Sequence, residues 1–210
     1  MCPQCVTAQC DCYYSPEPIQ PDFNSREEFF QYWHEITLDD NTAYKDLVLS
    51  QGNTRVKNIG QSQGHQDSLD CPDRFSFFWQ VLSIDSLAGQ SYFELEWSGP
   101  WIYIAMAYQS IQRHGNNKDC GFGGNKESWA LFCRQNSYNF WHDGKSMQVM
   151  GPVESKIGVY LDYEAGVLTF YSVQDENMTA LHRVQTRFAQ PLHVGLWMAV
   201  EASAVFCKLK

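Results

Sequence analysis

The cysteines at the start of the chain have the types and spacing that could bind a metal ion or exchange disulfides. Cys2 and Cys5, in the opening MCPQCVTAQCDC, have the two-residue separation of one zinc knuckle. Cys10 and Cys12 are separated by one residue, which is too close for the usual second knuckle. No strand–helix–strand pattern surrounds the CxxC, as a thioredoxin-like redox motif would need. We therefore expect residues 1–16 to form a Cys-rich, disordered tail that binds no metal.

Other groups that could do chemistry are scattered along the chain. The six histidines form no HExxH or HxH pattern, and no GxSxG, Walker or dinucleotide-binding motif appears in the context that its chemistry needs. Gly121-Phe122-Gly123-Gly124 is rich in glycine, but no helix pattern follows that could bind phosphate, so it indicates a loop. The carboxylates at Asp39-Asp40 and at Asp162 with Glu164 are typical of turns. The sequence predicts no enzyme, no cofactor and no metal site.

The net charge of the sequence argues against a nucleic-acid partner, and its hydropathy argues against a membrane-spanning segment. The 210 residues include 15 Lys and Arg against 24 Asp and Glu, which gives a formal net charge of −9. Nucleic-acid binders usually carry a basic stripe that displaces counterions, so we expect no nucleic-acid partner. No run of about 18 apolar residues occurs, so we expect no transmembrane segment.

The N-terminus lacks the apolar stretch of a signal peptide, which favours a cytoplasmic location over the alternative, secretion. In a cytoplasmic chain we expect free thiols at the remaining cysteines, which are Cys71, Cys120, Cys133 and Cys207. In a secreted chain these could form two disulfides, and the sequon Asn177-Met178-Thr179 could carry a glycan.

The elements that must position any functional residue are short. Residues 13–24 contain three prolines and read as a linker. In the following SREEFFQYWHE, Ser25 and Glu28 fit a capping box, and Phe29, Phe30 and Trp33 share a face, which predicts a short amphipathic helix.

About a dozen short apolar or alternating runs follow, separated by turn residues, as in an antiparallel sandwich. The segment Tyr92-Phe93-Glu94-Leu95-Glu96-Trp97 alternates strictly between two faces. Two segments predict tight hairpins, 142–145 and 163–166. Seven aromatic residues are assigned to the core, namely Phe77, Phe78, Trp79, Trp129, Phe132, Phe170 and Tyr171.

Three ordered motifs carry a resemblance to a known family. They are Leu38-Asp39-Asp40, Phe93-Glu94-Leu95-Glu96 and Leu161-Asp162-Tyr163-Glu164. With them, the chain from about residue 17 to its end resembles a PRY-SPRY domain. Asp40 stands where the family has proline and Phe93 where it has tryptophan, so a turn residue and a large aromatic are kept. The segment 191–197 lacks the family's usual glycine-phenylalanine pattern.

The resemblance implies an all-β fold, a bent β-sandwich of two antiparallel sheets with a short N-terminal helix. Residues 17–85 would form the PRY segment and residues 86–210 the SPRY segment of one domain. It implies that Glu94, Glu96, Asp162 and Glu164 hold the fold, and that the module binds a protein partner without catalysis. As an isolated domain it is expected to be a monomer.

The sequences SREEFFQYWHEITLDDNTA, FWHDGK and LHRVQTRFAQPL are most similar to fish versions of the domain. These occur in fish tripartite-motif proteins, NOD-like receptors and stonustoxin-like toxins. The resemblance therefore predicts a recognition module in fish innate immunity. The alternative is a cell-surface-targeting domain of a secreted stonustoxin-like cytolysin.

The predicted partner contacts lie near the loops at one rim, where specificity resides in this family. Trp101 follows the second motif, where the family often places an aromatic residue at the rim of the groove. The other predicted contacts are Arg113, His114, Arg134, Tyr138 and Trp141. Large aromatic and arginine side chains on a rigid scaffold are typical interface hot spots.

Overall fold

The computed structural model describes residues 25–60, 71–116 and 118–209. The predicted Cys-rich tail, residues 1–16, and the proline-rich linker lie outside the described residues. Thirteen strands are described: β1 (Leu47–Ser50), β2 (Arg55–Asn58), β3 (Gln80–Leu87), β4 (Gln90–Ser98), β5 (Trp101–Tyr108), β6 (Ser128–Arg134), β7 (Ser137–His142), β8 (Lys145–Val149), β9 (Lys156–Asp162), β10 (Val167–Gln174), β11 (Asn177–Gln185), β12 (Leu192–Met198) and β13 (Ser203–Phe206). Two short 3₁₀ helices accompany them, Arg26–Tyr32 and Lys118–Cys120.

The strands form two antiparallel sheets, which confirms the predicted sandwich. The seven-stranded sheet has the order β1-β2-β13-β4-β9-β10-β11, and the six-stranded sheet has the order β3-β12-β5-β6-β7-β8. The facing sides of both sheets contribute to one large core. In β4, Phe93, Leu95 and Trp97 belong to this core, as the alternation predicts.

The N-terminal helix packs on the outer face of the seven-stranded sheet. Phe29 is buried against the rings of Tyr92, Tyr160 and Tyr171, with ring centroids 4.8–5.4 Å apart. The predicted capping box is wrong, because the Ser25 side chain makes no capping hydrogen bond. The Glu28 N–H instead donates to the Ser25 carbonyl at 3.3 Å, the short bond that a 3₁₀ helix forms.

Both predicted hairpins are present. Between β7 and β8, Asp143 and Gly144 have positive φ values of 51° and 69°, as a two-residue turn requires. Between β9 and β10, Gly166 has a φ of 71°, and a Cβ atom there would lie 1.9 Å from the Thr186 carbonyl oxygen. Only glycine fits that position without moving the backbone.

A largely buried histidine makes the stability of the sandwich depend on pH. The His182 ring lies 4.0 Å from the Phe140 ring, and burial lowers the pKa of His182 to about 4. Because the unfolded pKa is about 6.5, the unfolded chain binds more protons between these values. The unfolding free energy should therefore fall as pH drops from about 6.5 towards 4, by about 1–3 kcal/mol.

Urea titrations at pH 7 and pH 4.5 measure this dependence. His182→Phe should flatten the slope, because it removes the buried ring that the unfolded chain protonates. An equal slope in the wild-type chain and in His182→Phe would contradict the assignment.

Candidate functional site

The outer face of the six-stranded sheet is divided into a covered half and an open half. Along β5, the outward side chains are large at Trp101 and Tyr103 and small at Ala105 and Ala107. The strand register extends this division across the sheet. Gly195 of β12 and Ala130 of β6 both lie opposite Ala105, so the small residues form one row.

Two loops pack over the row of small residues. A Cβ atom at Gly195 would lie 2.6 Å from the Phe122 ring, so this glycine lets Phe122 approach the sheet. The loop is fixed by the buried Gln80, whose Nε2 donates to the Cys120 carbonyl and whose Oε1 accepts from the Phe122 N–H, both at 2.8 Å. Phe75, from the other loop, packs edge-on to Phe122. Small residues therefore lie where the loops cover the sheet.

The next row along the sheet is aromatic and, apart from Phe132, which is 8% exposed, only partly buried. Tyr103 stacks on Phe132 at 4.2 Å and on Trp197 at 4.7 Å between ring centroids. Trp101 lies edge-on to all three rings at 5.8–6.0 Å, and Phe78 lies 4.8 Å from Trp197. Phe77 extends the surface and is 53% exposed. We call these side chains the aromatic platform: Phe77, Phe78, Trp101, Tyr103, Phe132 and Trp197.

One cation borders the aromatic platform. Arg134 is directly opposite Trp101 in the strand register, and its guanidinium lies 4.7 Å from the centroid of the Phe132 ring. Burial raises the pKa of Tyr103 to about 12, while Arg134 opposes that shift. The Tyr103 hydroxyl therefore stays protonated at neutral pH and can donate a hydrogen bond.

Trp101 and Arg134, both predicted as contacts, meet at the open end of the aromatic platform. Trp141 lies in the covered row, because a Cβ atom at Gly123 would come within 2.5 Å of the Trp141 Cβ. Tyr138 is fully buried in the core, and its hydroxyl bonds to the Glu154 backbone. The predicted surface contact at Tyr138 is corrected: it lies three residues from Trp141 and therefore on the opposite face.

Arg113 and His114 hold the covering loops together. The Arg113 guanidinium donates to the carbonyls of Asp73, Ile111 and Gln109 and lies 4.9 Å from the Phe75 ring centroid. A His114 ring nitrogen lies 3.0 Å from the Pro72 carbonyl oxygen. The polar atoms of Arg113 and His114 therefore form contacts within the two covering loops, and neither side chain belongs to the aromatic platform.

Most side chains of the aromatic platform were not predicted as contacts from the sequence. Tyr103 and Trp197 were not singled out, and the assignment of Phe77 to the core is wrong, since this side chain is more than half exposed. Phe78 is also only partly buried. The change from large to small outward-facing side chains along WIYIAMAY could have located the site, because the small residues mark the part of the sheet that the loops cover.

The three family motifs occupy supporting positions. Leu38 and Leu161 are fully buried, Asp39 Oδ1 accepts from the Asn41 N–H, and Asp162 accepts from the Ala165 N–H and the Gln90 amide. Tyr163 stacks with Phe188 at 5.9 Å, whereas Glu164 is exposed. Glu96 is exposed and pairs with Lys156 at 3.2 Å.

Glu94 lies at the centre of a buried ionic cluster. Its carboxylate accepts two hydrogen bonds from the Arg26 guanidinium, both at 2.7 Å, and one from the Tyr92 hydroxyl at 2.6 Å. The hydrogen bonds to Glu94 raise the pKa of Arg26, and burial raises the pKa of Tyr92 well above its usual range. Arg26 also donates to the Asp175 carbonyl. This cluster fastens the N-terminal helix to the seven-stranded sheet.

The described residues form a small cleft and hold no dense group of metal-ligating side chains. A cleft of about 210 Å³ lies at one rim, lined by Trp97, Ser98, Gly99, Gln135, Val153, Glu154 and Ser155. Pockets for small ligands usually measure about 300–1,000 Å³. Within residues 25–60, 71–116 and 118–209, no group of three or more His, Cys, Asp and Glu could hold a metal ion. In the same ranges, no helix is long and apolar enough to span a membrane.

Comparison with known proteins gives matches to two adjoining family models. Residues 36–87 match the SPRY-associated domain, PRY, and residues 90–207 match the SPRY domain. The chain is 30% identical to mouse tripartite motif-containing protein 16 over 89% of this chain and 33% of that protein. It is 35% identical to the stonustoxin beta subunit of Synanceia horrida over 84% of this chain and 25% of that protein.

Solved structures show the same relationships. The stonustoxin structure superposes with a TM-score of 0.78 and 31% identity, over 89% of this chain and 29% of that one. The crystal structure of the TRIM65 PSpry domain superposes with a TM-score of 0.76 and 27% identity, over 88% of this chain and 98% of that one. The chain thus spans about a quarter to a third of the curated full-length relatives and nearly all of the isolated domain.

Proposed function

The chain belongs to the PRY-SPRY domain family, and we propose that it is a protein-recognition module that binds its partner through the aromatic platform. The proposal treats residues 17–85 and 86–210 as the PRY and SPRY segments of one domain. Strand pairing supports this, since β2 pairs with β13 and β3 pairs with β12.

The observation that carries the proposal is a contiguous set of large aromatic side chains, most of them partly exposed, on and beside the outer face of a rigid sheet. Isolated exposed apolar residues are common, but contiguous ones mark interaction sites. Tryptophan, tyrosine and arginine are also the residues that dominate binding energy in protein interfaces. Here two tryptophans, a tyrosine and an arginine meet on neighbouring strands, where the cross-strand contacts fix their positions. Such preorganisation lowers the entropic cost of binding.

We propose fish innate immunity as the setting, with the chain acting in the cytoplasm as the recognition part of a tripartite-motif or NOD-like protein. The similarity to mouse tripartite motif-containing protein 16 supports the tripartite-motif context. Cys71, Cys133 and Cys207 form no disulfide within the described part of the chain, as a reducing compartment favours.

The second candidate is a cell-surface-targeting domain of a stonustoxin-like secreted toxin. Its support is the similarity to stonustoxin subunits and the exposure of Asn177, the acceptor of the sequon, at the start of β11. A glycan on Asn177 of the protein isolated from its natural source would decide for this setting. Either setting uses the aromatic platform for protein binding.

Photochemical cross-linking tests the proposed binding surface. Benzoylphenylalanine in place of Phe77, within the aromatic platform, should cross-link a discrete partner from fish tissue lysate. The matched control places the same residue at Thr179, an exposed position on the seven-stranded sheet. Loss of the cross-link on adding Trp101→Ala to the Phe77 variant is also expected. Equal cross-linking from both positions, insensitive to Trp101→Ala, would contradict the proposal.

A further inference from the structure

Arg134 differs from the other arginines whose contacts define the fold. Arg26 donates to Glu94 and to the Asp175 carbonyl, and Arg113 donates to three backbone carbonyls. In the described part of the chain, no hydrogen bond or ion pair engages the Arg134 guanidinium. Its side chain is exposed and touches the ring of Phe132. All its N–H donors therefore remain available to a partner.

The guanidinium is nevertheless held in place. Contact with the Phe132 ring restricts the Arg134 side chain, which would otherwise rotate freely. Less conformational entropy is therefore lost when the guanidinium binds a hydrogen-bond acceptor. Phe132 is itself fixed by its stack with Tyr103. The available donors thus stand at a defined position beside the ring faces of the aromatic platform. A guanidinium in this geometry suits the two oxygens of a carboxylate.

The net charge of the chain strengthens the preference for a carboxylate at Arg134. The formal net charge is −9, so the chain as a whole repels a carboxylate. Arg134, the charged side chain in contact with the Phe132 ring and felt by Tyr103, is a cation and attracts one. A segment with an apolar side chain and a carboxylate therefore has one favourable orientation on this face. A segment with a cation in the same place would meet Arg134 as a like charge.

We propose that the aromatic platform recognises an exposed protein segment in which a large apolar side chain lies next to an aspartate or glutamate. This rests on the protein-binding function proposed above and specifies the chemistry of the partner. The apolar side chain packs on Trp101, Tyr103 and Trp197. The carboxylate accepts hydrogen bonds from the Arg134 guanidinium.

Selection from a displayed library of random peptides on the full chain tests this inference. Enriched peptides should pair Trp, Phe, Leu or Met with a neighbouring Asp or Glu. For a synthetic copy of such a peptide, Arg134→Gln should weaken binding about tenfold or more, as expected for a hydrogen-bonded charge pair. The same peptide with Asn or Gln replacing its acidic residue should bind both proteins equally. Arg55→Glu, on an exposed position of the other sheet, serves as the charge control and should change affinity little.

The outcomes separate this inference from the proposed function. Peptides whose binding needs Trp101 but ignores Arg134→Gln would overturn the acidic preference and leave the binding surface standing. Peptides that bind equally well to the wild-type chain and to Trp101→Ala would overturn both. Failure to enrich any peptide over an uncoated surface would also count against the inference. Thermal unfolding of each variant confirms that the fold is intact.

Discussion

Replacing Glu94 by alanine should lower the unfolding free energy by about 3–5 kcal/mol, the usual effect of removing one partner from a buried ion pair. Glu94 is 1% exposed and accepts hydrogen bonds from Arg26 and Tyr92. Its removal leaves the largely buried Arg26 guanidinium with only the exposed Glu176 carboxylate, 3.9 Å away, in place of two hydrogen bonds at 2.7 Å. The N-terminal helix should then detach from the seven-stranded sheet before the sandwich unfolds.

The chain supplies a matched control on the same strand. Glu96, two residues along β4, is exposed and pairs with Lys156, so Glu96→Ala should change the unfolding free energy by about 0–1 kcal/mol. Urea denaturation of the two variants measures the difference. Arg26→Ala should behave like Glu94→Ala, and the double variant should be less destabilised than the sum of the two. Losses of similar size at Glu94 and Glu96 would show that the buried cluster does not fasten the helix.

Replacing Trp101 by alanine should weaken partner binding by about 30-fold or more, the size of an interface hot spot. Trp101 contacts three other rings of the aromatic platform and lies opposite Arg134, so its loss removes a large part of the contact surface. It is only partly buried, and the unfolding free energy should fall by only about 1–2 kcal/mol. Isothermal titration with the cross-linked partner measures the affinity.

Trp33 provides the matched control for this variant. It is also a partly buried tryptophan in edge contact with aromatic neighbours, but it lies beside the N-terminal helix on the other sheet. Trp33→Ala should cost similar stability and leave the affinity within about twofold of the wild-type chain. An equal loss of affinity in both variants would mean that general destabilisation, not the aromatic platform, limits binding.

Local sequence patterns predicted the strands well because residue alternation sets which side chains share a face. In β4, the predicted division between Phe93, Leu95 and Trp97 and the opposite face is the one observed. Alternation does not show which outer face a loop will cover. Whether a face of the sheet is covered depends on distant segments of the chain. Here a loop brings Phe122 over Gly195, which lies 73 positions further along the sequence, and no local pattern indicates that contact. The exposure of Phe77 therefore escaped prediction, whereas alternation along β7 already separates Tyr138 from the face of Trp141.

The family motif predicted that Glu94 holds the fold, but not how. Its partner Arg26 is 68 residues away, and it lies ahead of the residues that match the PRY model. Long-range pairing of this kind follows from the three-dimensional packing of the helix. The Arg26–Glu94 pairing has no signature in residue spacing. The local pattern at the start of the helix predicted a role for Ser25 and none for its neighbour Arg26.

The partner affinity of the Trp101→Ala, Trp197→Ala double variant is the most direct test of the aromatic platform as the protein-binding surface. Both rings contact Tyr103, so the double variant removes both tryptophans of the aromatic platform while the loop-covered row remains. We expect its dissociation constant for the cross-linked partner to rise at least about 100-fold, with a cooperative unfolding transition retained. A folded double variant that binds within about threefold of the wild-type chain would contradict the claim.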